Sequence, residues 1–93
     1  PIAVPGFDVA MVASNPARVW VRANGDERIV ALFAWDLMTA TLRFTDYELA
    51  AEFDGNVVIE QIFGAPAELE RDALGRWTAH VPAQSAAVFR LTP

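Results

Sequence analysis

The sequence predicts an all-β fold, an antiparallel β-sandwich with Greek-key connections and about seven or eight short strands. Three observations carry that expectation. Two runs rich in β-branched and aromatic residues, ARVWVRA (17–23) and RIVALFAW (28–35), flank Asn24-Gly25, the strongest short-range hairpin signal. Alternating stretches recur about every 8 to 12 residues with turn residues between them. The run from Arg28 to Trp35 is apolar on both alternating faces, Ile29/Ala31/Phe33/Trp35 on one and Val30/Leu32/Ala34 on the other. Such a strand asks to be covered on both sides.

The elements follow in order. Pro1 to Gly6 is an extended lead-in whose two prolines keep it out of a central ladder. Phe7 to Ser14 alternates as a first strand, and Asn15-Pro16 breaks it. In the hairpin's first arm Val19 and Val21 face one way while Arg18, Trp20 and Arg22 face the other. After a short connection at Asp36–Thr39, Ala40 to Thr45 turns Ala40/Leu42/Phe44 inward and Thr41/Arg43/Thr45 outward. Asp46 to Gly55 reads as a long loop with at most one helical turn, spaced on Tyr47, Ala50 and Ala51. Asn56 to Phe63 is a further strand, and Ala67 to Arg71 a short edge strand with outward carboxylates. Arg76 to Val81 places Trp77/Ala79/Val81 inside and Thr78/His80 outside, and Ala86 to Leu91 closes the fold.

Ninety-three residues make a single domain, 1–93. No run approaches the roughly 18 apolar residues of a membrane-spanning helix, so a soluble domain with no membrane partner is expected. The chain starts at Pro1 without methionine, as a piece processed or cut from something longer would. With 7 basic and 12 acidic residues the net charge is -5, and the arginines are scattered singly, which argues against nucleic acid. The absence of lysine reads as the mark of a GC-rich coding sequence. Zero cysteines exclude disulfides and thiolate metal sites and leave the compartment open. A hydrophobic content of 54% is high for a small soluble domain and points to one face built to lie against a partner.

No catalytic constellation emerges and no cofactor is implied. Glu68, Glu70 and Asp72 could share one strand face, as an acid pair or a Ca²⁺ site would need, but they flank a turn and read as a solvated edge. His80 is the single histidine, which rules out a His-based metal site or triad within this chain. Among the tryptophans, Trp35 and Trp77 fall on inward faces and read as core. Trp20, flanked by Arg18 and Arg22, is the candidate for a sugar platform or an interdomain contact.

VWVRANGDERIVALFAWD (19–36), ATLRF (40–44) and GRWTAHVPAQSAAVFRLTP (75–93) together resemble the C-terminal β-sandwich of retaining glycoside hydrolases of the α-amylase and α-galactosidase groups. The chain departs from that pattern at Ala34, where the family usually has Asn, and at Ser85-Ala86, where it usually has Gly. The resemblance implies a non-catalytic accessory domain that packs on a (β/α)8 catalytic barrel and stabilises it. It leaves two other expectations standing: a carbohydrate-binding module using Trp20, and a homo-oligomer formed through an exposed apolar face.

Overall fold

The computed structural model describes residues 2–3, 9–13, 18–53 and 55–93, with side chains from 18 onward. The Asn15-Pro16 break, the Phe7 end of the first expected strand and Asp54 lie outside these residues. Among the described residues nine strands occur: β1 (Ile2–Ala3), β2 (Val9–Ala13), β3 (Val19–Asn24), β4 (Glu27–Ala34), β5 (Ala40–Thr45), β6 (Val58–Gly64), β7 (Glu68–Arg71), β8 (Arg76–Val81) and β9 (Ser85–Thr92). They form two antiparallel sheets, one ordered β1-β2-β3-β4-β9-β6 and the other β5-β8-β7. No helix occurs among the described residues. The two-residue β1 sits at a sheet edge, the position open to a proline-flanked segment.

The hairpin of β3 and β4 is the spine of the larger sheet. Six consecutive residue pairs run from Val19↔Leu32 to Asn24↔Glu27. Gly25 alone in this turn takes positive φ, at 60°, the signature of a two-residue II′ turn with glycine at its first central position. The chain then crosses between sheets after β4, β5, β6 and β8, so that β9 returns to lie between β4 and β6. This interleaving is the Greek-key sandwich that the strand spacing predicts.

Inward residues follow the two-residue period. Val30, Leu32 and Ala34 of β4, Ala40, Leu42 and Phe44 of β5, Trp77, Ala79 and Val81 of β8, and Ala87, Phe89 and Leu91 of β9 are all buried. The ring of Trp77 stacks on Phe44 at 5.9 Å between centroids and meets Phe53 edge-on at 6.2 Å. Trp77, with no exposed surface, is the largest fully buried side chain among the described residues.

Two expectations are corrected here. Trp35 is not core: it is 54% exposed. Trp35 continues the alternating set of Ile29, Ala31 and Phe33, and in the fold that set faces outward while Val30, Leu32 and Ala34 face the core. Nor is β4 covered on both sides: Ile29, Ala31 and Phe33 alternate with its buried residues and remain only half-buried. In β6 the alternation is interrupted, because the pairing skips from Gln61↔Phe89 to Phe63↔Val88 and leaves Ile62 in a bulge.

The described residues between 46 and 55 form a loop, as expected, while the strand expected from Asn56 begins at Val58. The loop's anchors are Leu49 and Phe53, 1% and 7% exposed, while Tyr47 stands 88% exposed. Two arginines fasten it. Arg28 donates from Nε to Leu49 O at 2.8 Å and from Nη2 to Ala50 O at 2.6 Å. Arg71 donates from Nη2 to Phe53 O and from Nη1 to Gly55 O, each at 3.1 Å. Only a planar fork of donors reaches several carbonyls at once, so at these two positions arginine serves a purpose lysine does not, beyond any coding bias.

Candidate binding surface

The two sheets differ in what they show to solvent. On the three-stranded sheet the outward rows are Thr41, His80 and Glu68, then Arg43, Thr78 and Glu70, then Thr45 and Arg76. Every one is polar or charged, and Thr41 Oγ1 lies 3.3 Å from His80 Nδ1. This is a wet face.

On the six-stranded sheet the ladder aligns Trp20 with Ala31, Ala31 with Val88, and Val88 with Phe63. Four strands thus contribute one continuous apolar row. Phe33 pairs with Ala86 beside it, and Phe63 and Val58 are 70% and 63% exposed. The neighbouring row carries Arg22, Ile29, Arg90 and Glu60, with Arg90 Nη1 3.1 Å from Glu60 Oε1. An apolar strip bordered by charges is the anatomy of a contact surface, whereas isolated exposed apolar residues carry no such meaning.

The three residues singled out in the sequence sit on or beside this face. Trp20 and Arg22 alternate with buried Val19 and Val21 on β3, so both project outward; Trp20 is half-buried and Arg22 exposed. Arg18, just before β3, donates from Nη2 to Asp36 Oδ2 at 2.6 Å, an ion pair within the chain. The geometry therefore keeps Trp20 and Arg22 on one surface while committing Arg18 to Asp36.

The acidic trio does not converge. Glu68 and Glu70 are exposed on the edge strand β7, as the sequence predicts. Asp72 serves its own turn, accepting from Leu74 N at 2.8 Å, Arg76 N at 3.0 Å and Arg76 Nε at 2.7 Å. The Arg76 backbone N–H and then its guanidinium hold the Asp72 carboxyl below its ordinary value. Among the described residues no group of three acidic or histidine side chains is placed to hold a metal ion.

At one corner of the apolar face the end of β4 meets the loop between β8 and β9. The rings of Phe33 and Trp35 stack there with centroids 5.0 Å apart and planes within 1° of parallel. Phe33, Ala34, Trp35, Gln84, Ser85 and Ala86 line a depression of about 410 Å³. Gln84 N donates to Asp36 O at 3.1 Å, and Ser85 Oγ donates to Pro82 O at 2.5 Å. The sequence hides this corner, because it joins residues about fifty positions apart.

A second arrangement is structural. Asp46 accepts from Trp77 Nε1 at 2.6 Å and from Arg71 Nε at 3.2 Å on one carboxylate oxygen, and from Arg71 Nη2 at 2.6 Å on the other. Asp46 holds the Arg71 guanidinium above its ordinary pKa, chiefly through that side-chain hydrogen bonding.

No family model, curated protein or solved structure matches the chain.

Proposed function

We propose that this chain is a non-catalytic accessory β-sandwich of a glycoside hydrolase, which packs against a catalytic barrel through the outer face of its six-stranded sheet and stabilises it. The observation that carries the reading is the asymmetry between the two outer faces. One is polar or charged throughout, and the other presents the row Trp20, Ala31, Val88 and Phe63. A domain that stood alone would gain nothing from an apolar strip across four strands, whereas a domain seated on a neighbour buries it at a gain of roughly 25 cal/mol per Å². The glycosidase part of the reading rests on the three sequence stretches that resemble that family's C-terminal domain.

The test is the reading frame upstream of the codon for Pro1. A (β/α)8 barrel with paired carboxylates encoded there supports the proposal. A start codon close by, or an unrelated domain, overturns it.

A further inference from the structure

We infer that the depression formed by Phe33, Trp35, Gln84, Ser85 and Ala86 is a binding site for a neutral carbohydrate, taking the apolar face of a pyranose ring against the Trp35 indole and its hydroxyls on the Gln84 carboxamide. The inference goes beyond the accessory-domain reading and does not depend on it.

Three observations meet at this corner. The first is the aromatic platform: Trp35 is 54% exposed, and its stack on Phe33 holds the indole in one orientation. A flat ring fixed in place offers contact area with little ordering entropy left to lose. The second is a polar group at the rim of the same concavity. The Gln84 side chain is exposed and makes no hydrogen bond within the described residues, and a carboxamide offers both donors and an acceptor. The third is strain. Gln84 is one of two non-glycine residues with positive φ among those described, at 50°, and its N–H is tied to Asp36 O. Glycine would hold this turn without strain, and a bulky residue kept in the left-handed region by its surroundings marks a place where the side chain has a use.

The chemistry of the lining selects the ligand. None of the six lining residues is charged, which disfavours an anion or a cation. The nearest acid of that loop, Asp36, is already paired with Arg18. A wholly apolar occupant would bury the Gln84 carboxamide without a partner, an arrangement proteins avoid. A sugar satisfies both halves at once, with axial C–H groups over the indole and hydroxyls at the rim. A volume of about 410 Å³ lies at the lower end of small-ligand pockets and suits a mono- or disaccharide.

The test is an NMR titration of the full chain with maltose and, separately, cellobiose, following the tryptophan indole N–H signals. The expected result is saturable movement of the Trp35 signal in the millimolar range by at least one sugar, as one ring and one carboxamide would give, with the buried Trp77 signal still. Trp35→Ala should abolish the response. Because that variant also removes the stack on Phe33, Gln84→Gly is the sharper control: it deletes the carboxamide and relieves the backbone, so it should weaken binding severalfold while melting no lower than the parent. The site is overturned if neither sugar moves the Trp35 signal, or if Gln84→Gly binds as tightly as the parent.

Discussion

Arg71 and Asp46, 25 positions apart, form a two-pronged ion pair at 2.6 and 3.2 Å, and the same carboxylate accepts the Trp77 indole N–H. The pair joins the start of the 46–55 loop to the end of β7, and through Trp77 it reaches the centre of the core. Arg71 also spans to the carbonyls of Phe53 and Gly55, and its guanidinium lies 5.9 Å from the Phe53 ring centroid.

Arg71→Ala leaves Asp46 with one partner in a poorly hydrated place and frees the loop carbonyls. Removing one member of a partly buried, hydrogen-bonded pair costs about 3 kcal/mol. Arg71→Lys should recover less than half of that, because an ammonium cannot bridge a carboxylate and two carbonyls together. Urea unfolding of the three proteins measures both figures; a lysine variant as stable as the parent would show that charge alone suffices.

The inner architecture was legible because it obeys a period. Val30/Leu32/Ala34, Leu42/Phe44 and Trp77/Ala79/Val81 alternate in the sequence and are buried in the fold. What escaped is whatever a neighbour decides. Trp35 belongs to the alternating set of Ile29, Ala31 and Phe33, and with both sets of β4 apolar the sequence does not say which one turns outward; in the fold it is this set, and the Trp35 ring lies on Phe33. Asp46, Arg71 and Trp77 are unremarkable in isolation and acquire a role only when β7, β8 and the loop converge. Gln84 carries no sequence mark at all, since its positive φ is imposed by the turn that joins two strands.

Gly64 and Gly25 share positive φ, at 97° and 60°, but differ in their surroundings. A Cβ at Gly64 would lie 2.1 Å from Ala86 O and 2.8 Å from Ala87 Cα, whereas one at Gly25 meets nothing within 4 Å. Gly25→Ala should therefore cost only the left-handed penalty, about 1 to 2 kcal/mol. Gly64→Ala adds a backbone clash that β6 can relieve only by moving away from β9, and should cost at least about 3 kcal/mol. Denaturation midpoints of the pair separate strain from clash; equal losses would mean that β6 gives way freely.

Acid should weaken the turn after β7 through Asp72. In the folded chain this carboxyl titrates below its ordinary value because the Arg76 N–H and guanidinium bond its charged form. A depressed folded value means a stabilising contribution that is complete above the unfolded value of about 3.9 and fades as the pH falls through the folded one. Asp72→Asn cannot lose a proton-linked contribution it lacks. Its unfolding midpoint should therefore fall less than the parent's between about pH 5 and about pH 2; parallel curves would assign the acid sensitivity elsewhere.

The outer face of the six-stranded sheet can be separated from the core by substitution. Phe63 is 70% exposed, so in the isolated chain Phe63→Lys removes little buried area and should change stability by no more than about 0.5 kcal/mol. The same change places a charge in the row shared with Val88, Ala31 and Trp20. If that row seats a neighbouring domain, the variant should bind less of a fluorescent apolar dye, and in a protein that carries both domains it should lower the melting temperature, because the charge is then buried without a partner. Thr78→Lys on the three-stranded sheet is the control, since it joins a face already occupied by Arg43 and Glu70 and should leave both readouts unchanged. Equal effects from the two lysines would assign no special role to the apolar row.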